Sequence, residues 1–105
     1  MTEPDKHAAH TRFWKKYLRL TRGRVPILRT LKVIGEEERD PAFKNIVFSI
    51  RKDLETDSTL SEAIAKHKDD FSSSIIELVK AAEQSGAWDE ILQEIVEGLK
   101  DDTFE

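Results

Sequence analysis

Three histidines and a run of acids are the side chains of this chain most able to do chemistry. His7 and His10 stand at i, i+3, a spacing that sets two imidazoles on one helix face as a metal site would. No thiolate accompanies them at the polar start of the chain, so solvated rings are the simpler reading. His67 closes a predicted helix, where an imidazolium complements the dipole. Glu36, Glu37 and Glu38 with Asp40 could attract a divalent cation, but consecutive acids point around a helix and not to one centre. They are read as a solvated face. No nucleophile stands with a base, so neither an enzyme nor a metal, cofactor or small-molecule substrate is expected.

The elements that must position these groups are helical. From Trp88, the residues Ile91, Leu92, Ile95, Val96 and Leu99 follow at i+3, i+4, i+7, i+8 and i+11, one apolar stripe of a 3.6-residue period. Ile75, Ile76, Val79 and Ala82 form a second stripe, and Gly86 between them can take the left-handed conformation that ends a helix. Asp89 and Glu90 fall in the first turn of the later helix, where negative charge is favoured. Upstream, Phe13, Tyr17 and Leu20 share a face of a first helix over about 8–22, with Trp14 and Leu18 beside them. Pro26 opens a second helix carrying Ile27, Leu28, Leu31 and Ile34, with fraying expected near Glu38. Asp40-Pro41 caps a third, marked by Phe43, Ile46, Val47, Ile50 and Leu54. Thr59-Leu60-Ser61-Glu62 is a capping box opening a short fourth helix, about 60–67. Serines 72–74 offer caps for a fifth. The expected core holds Phe13, Leu31, Ile46, Ile50, Leu54, Ile64, Val79, Ile91 and Ile95.

A chain of 105 residues with 38% hydrophobic and 36% charged residues and four glycines suits one all-α domain, a six-helix antiparallel bundle. Its boundaries are read as a flexible N-terminal extension over 1–9, a helical domain over 10–100 and a tail over 101–105. No cysteine is present, which excludes disulfides. No apolar run approaches the roughly 20 residues that span a bilayer, and MTEPDKHAAH lacks the apolar core of a secretory signal. A cytoplasmic location is the default expectation.

The net charge of −4 conceals an asymmetry: nine Lys and Arg residues from Lys6 to Lys32 meet no acid, and acids dominate afterwards. The basic helix either lies beside the acidic ones or faces an anionic partner. Nucleic acid or another anionic surface is therefore the alternative function. The acidic pI of about 5.4 and the absence of a polar recognition helix make nucleic acid unlikely.

In order along the chain, FWKKYLRLTRGRVPILRTL, DPAFKNIVFSIRKDLE, TLSEAIAKHKDDF and AAEQSGAWDEIL resemble the cytoplasmic domain of type II secretion system protein F, shared with the inner-membrane platform proteins of type IV pilus assembly. The resemblance covers about Arg12 to Leu99. It implies a non-catalytic six-helix bundle that docks within an assembly platform, with a secretion ATPase or other platform proteins as partners. Family members usually carry two such domains, each followed by transmembrane helices. The initial Met and polar extension favour a free-standing domain over an excised one. The chain departs from the family at Arg24, Asp57 and Ala82, where glycine is usual, and at Trp88, where leucine is.

A homodimer is expected, built on helix one with Trp14 and Leu18 partly outward between Arg19 and Arg22. Glu83 and Ser85, in the Glu-x-Ser-Gly corner, complete the expected protein interface. The local reading has Glu83 pairing with Lys80 or a nearby basic side chain and Ser85 capping the corner, and it is preferred for those two.

Overall fold

Why six helices form is visible at their ends. In a computed structural model that describes residues 3–100, the helices are α1 (Glu3–Arg22), α2 (Ile27–Glu37), α3 (Pro41–Glu55), α4 (Leu60–Ala65), α5 (Ser73–Ser85) and α6 (Trp88–Lys100), with no strand among the described residues. Asp40 caps α3 by accepting from the Ala42 N–H, with Pro41 at the first helical position. Thr59 and Glu62 form the reciprocal capping box on α4. Of the three serines, Ser72 caps α5 through the Ile75 N–H. Gly86 ends α5 at φ 78°, its N–H reaching the Ala82 carbonyl.

Each helix packs on its successor, and α6 closes the ring by lying along α1. Arg22 at the end of α1 meets Asp89 at the start of α6, so these two run antiparallel. Phe13, Trp14, Leu31, Phe43, Val47, Ile50, Ile64, Val79, Leu92 and Ile95 are fully buried in one core, while Ile46, Leu54, Trp88 and Ile91 pack partly buried against it. At Gly35, α2 and α3 approach so closely that a Cβ would stand 2.8 Å from the Phe48 ring.

Several expectations are corrected. α1 begins at Glu3, not Ala8, so most of the expected 1–9 extension is helical, and Ala9 and His10 are buried. The expected 101–105 tail lies outside the described residues. The end of α2 does not fray at Glu38, because that residue turns inward onto the core side of the helix and is 3% exposed. α4 stops at Ala65, with turns leading to Phe71.

Candidate docking surface

Much of the basic stretch is spent inside the bundle. Arg12 donates to both oxygens of Glu38, at 2.6 and 3.4 Å, and the Glu38 carboxylate also accepts from the Asp40 N–H at 3.0 Å. Burial pushes the Glu38 pKa up, but the Arg12 hydrogen bond, the Asp40 N–H and the charges of Arg12 and Lys16 outweigh it and hold the pKa below the usual carboxylate range. Lys16 pairs with Glu37 at 3.1 Å and Lys6 with Asp70 at 3.3 Å. Arg22 bonds both Asp89 and Gln93, and its hydrogen bond lowers the Asp89 pKa. What remains are Lys15, Arg19, Arg24, Arg29 and Lys32, exposed and without ion pairs among the described residues.

The residues read as an interface fall into two sets. Trp14 is 0% and Leu18 7% exposed, which corrects the expectation that they face partly outward. α1 is covered by α2 on one flank and α6 on the other, so its buried face is wider than a single stripe. The Trp14 ring stands edge-on to Phe13 at 4.8 Å and to Phe71 at 6.2 Å. Arg19 and Arg22 do lie on the surface. Glu83 is turned inward, with one oxygen accepting from the Ser61 N–H at 2.9 Å and the other from the Ser61 hydroxyl at 2.6 Å. It therefore holds the first turn of α4, and Lys80 pairs with Glu77 instead. Ser85 accepts from the Ala87 N–H, as the local reading has it.

The histidines do not converge either. His10 is buried between Phe43 and Phe71, at ring separations of 4.7 and 4.8 Å, which corrects the solvated reading. Burial, with Lys6 and His7, lowers its pKa to about 4 against the opposing pull of Asp70 and Glu38. No group of three His, Cys, Asp or Glu side chains able to hold a metal occurs among the described residues.

The α1–α2 corner is what sequence reasoning missed. Arg24 and Asp57 are the non-glycine residues at positive φ among the described residues, 62° and 72°, at two positions where the resemblance leads one to expect glycine. Ile27 is the exposed large hydrophobic among the described residues, at 38%. It belongs to the apolar series of α2 with Leu31 and Ile34, which are buried, but stands at the first residue of the helix. In sequence, exposed Ile27 stands between two exposed cations, Arg24 and Arg29.

Residues 13–104 match the family model described as type II secretion system (T2SS), protein F. The chain is 32% identical over 71 residues to the type IV pilus assembly protein TapC of Aeromonas hydrophila, covering 68% of this chain and 17% of that one. It is 33% identical over 76 residues to the type IV pilus assembly protein PilC of Thermus thermophilus, covering 72% and 18%. To the PilC of Myxococcus xanthus it is 25% identical over 83 residues, covering 79% and 20%. The chain thus spans at most a fifth of the length of these relatives. No helix among the described residues is long and apolar enough to cross a membrane.

Proposed function

Because the chain belongs to the type II secretion system protein F family, we propose that it is a non-catalytic docking domain of a type II secretion or type IV pilus assembly platform, working on the cytoplasmic side of the inner membrane. The match across residues 13–104 carries this reading. Two carboxylates near the helix ends, those of Glu38 and Glu83, are engaged in holding the bundle together. Glu38 closes the end of α2 and Glu83 the start of α4. What the surface offers is charge and shape.

The partners that fit are the secretion ATPase, other platform proteins and a second copy of this chain. Of the expected interface, Arg19 is exposed and unpaired and Arg22 is exposed but bridged to Asp89, whereas Trp14 and Leu18 lie in the core. Nucleic acid is the weaker alternative: Lys6, Arg12, Lys16 and Arg22 are already paired with acids or carbonyls of the bundle, which leaves a modest set of free cations to neutralise phosphates.

Deletion of the gene in its source bacterium, with complementation, tests the proposal. The expected result is a defect in secretion or pilus assembly that the intact chain repairs. Undiminished secretion and piliation in the deletion strain would overturn it.

A further inference from the structure

The cations left over from the bundle's own pairs share one side of it. Arg12 and Lys16 reach Glu38 and Glu37, so α1 and α2 lie antiparallel, while Arg22 meets Asp89 on the α6 flank. By the 3.6-residue period, Lys15 and Arg19 stand on the outer face of α1 between those two seams. Leu31 and Ile34 turn inward from α2 and Glu37 faces α1, which sets Arg29 and Lys32 on the outer face of α2. These four side chains are exposed and carry no ion pair or hydrogen bond among the described residues. Arg24 joins them at the corner. Its N–H and that of Val25 close α1 on the Thr21 and Leu20 carbonyls at 3.0 Å, and its side chain is exposed. Glu36 is an unpaired acid on this face, whereas the exposed acids of α6, Glu90, Glu94 and Glu97, lie beyond the Arg22–Asp89 seam.

A flat anionic surface fits this face better than a shaped partner does. No side-chain hydrogen bond among the described residues orients the five cations, so nothing sets them in advance for one arrangement of carboxylates. Lipid phosphates are mobile and meet each cation where it stands. Two helices side by side present the charges broadly in a plane, which a bilayer meets at once and a curved duplex meets only in part. Ile27, 38% exposed and between Arg24 and Arg29 in sequence, adds the kind of apolar side chain that enters the headgroup boundary. We propose that the outer face of α1 and α2 rests on an anionic phospholipid surface, with Lys15, Arg19, Arg24, Arg29 and Lys32 on the headgroup phosphates and Ile27 between the headgroups. The proposal rests on the placement of the chain at the cytoplasmic side of a membrane, whose facing leaflet is negatively charged, and adds a direct lipid contact to that reading.

Flotation of the whole chain with vesicles of equal parts phosphatidylglycerol and phosphatidylcholine tests it, with phosphatidylcholine vesicles and duplex DNA as the comparison arms. The anionic vesicles should retain the chain, less as salt is added, and phosphatidylcholine alone should not. Lys15→Glu with Arg19→Glu, and separately Arg29→Glu with Lys32→Glu, should each weaken retention about tenfold or more. Lys52→Glu with Lys68→Glu changes the net charge equally but away from this face, and should weaken it far less. All six positions are exposed, so the helical circular-dichroism spectrum should be unchanged. The chain has no cysteine, so Ile27→Cys takes a single environment-sensitive dye. Its emission should shift to the blue on anionic vesicles, and that of a dye on Gln84→Cys in α5 should not. Anionic vesicles that retain nothing at low salt, equal retention by phosphatidylcholine, or equal losses in the face and control variants would overturn the proposal. So would a dye at position 27 that stays in water, or tighter binding to duplex DNA. Vesicle binding that fails while the deletion strain loses secretion or piliation would sink the lipid contact alone and leave the docking-domain reading standing.

Discussion

His10 makes the most quantitative demand on the fold. Its ring lies between Phe43 and Phe71 with Nε2 buried and without a hydrogen-bond partner, so the folded state holds it neutral and its pKa falls from 6.5 to about 4. In the unfolded chain it protonates from about pH 6.5 downward, so the unfolded state binds more protons across that window. The stability is therefore complete above the unfolded pKa and drains away as the pH falls toward the folded one. At 1.36 kcal/mol per pH unit, the separation amounts to about 3 kcal/mol. That is a large part of the ~5–15 kcal/mol that holds a domain of this kind. Urea unfolding across the acid range should show the parent losing this amount relative to His10→Phe, which keeps an aromatic ring but cannot titrate. Glu38 acts in a lower window, since its depressed pKa places its loss of stability beneath the usual carboxylate range. A ring-proton NMR titration reads His10 directly. Titration of His10 near its ordinary value, or parallel acid losses in parent and variant, would refute the reasoning.

Other consequences are as specific. Glu38→Ala strands the Arg12 guanidinium and frees the Asp40 N–H, and should cost about 2–3 kcal/mol in chemical denaturation. Gly35→Ala should destabilise by about 1 kcal/mol or more in the parent, since its Cβ meets the Phe48 ring at 2.8 Å. In a Phe48→Ala background the same change should be neutral or stabilising, because helix propensity alone favours alanine. Gly86→Val should cost about 1–2 kcal/mol. Nothing lies within 4 Å of a Cβ there, so the whole effect is the left-handed backbone, and an unchanged melting temperature would show that the corner can be made another way.

How much of this was legible before the structure depends on whether a signal was local. The Thr59–Glu62 box, the Asp40-Pro41 start and the Gly86 stop are each complete within a few residues, and each is formed as read. The α1 face was misjudged because its covering comes from two helices far apart in sequence. Extending the Phe13, Trp14, Tyr17 and Leu18 series back by one turn lands on Ala9 and His10, so periodicity did hold a clue to their burial. Glu38 likewise continues the series of Leu31 and Ile34 on the core face of α2, but among three consecutive acids it looks solvated until Arg12 is seen opposite. The exposure of Ile27 had no local sign at all, since it depends on where the neighbouring helices end.

The central claim, that this fold works by docking and not by catalysis, is tested most directly by binding. The folded chain would be immobilised and titrated with the purified secretion ATPase and platform proteins encoded in the same genome. The account predicts saturable binding to at least one of them, weakened by charge reversal at Arg19 and Arg24 and without any duplex DNA competing at equal salt. Failure of every platform component to bind a chain that retains its helical spectrum, or displacement of a bound component by DNA, would contradict it.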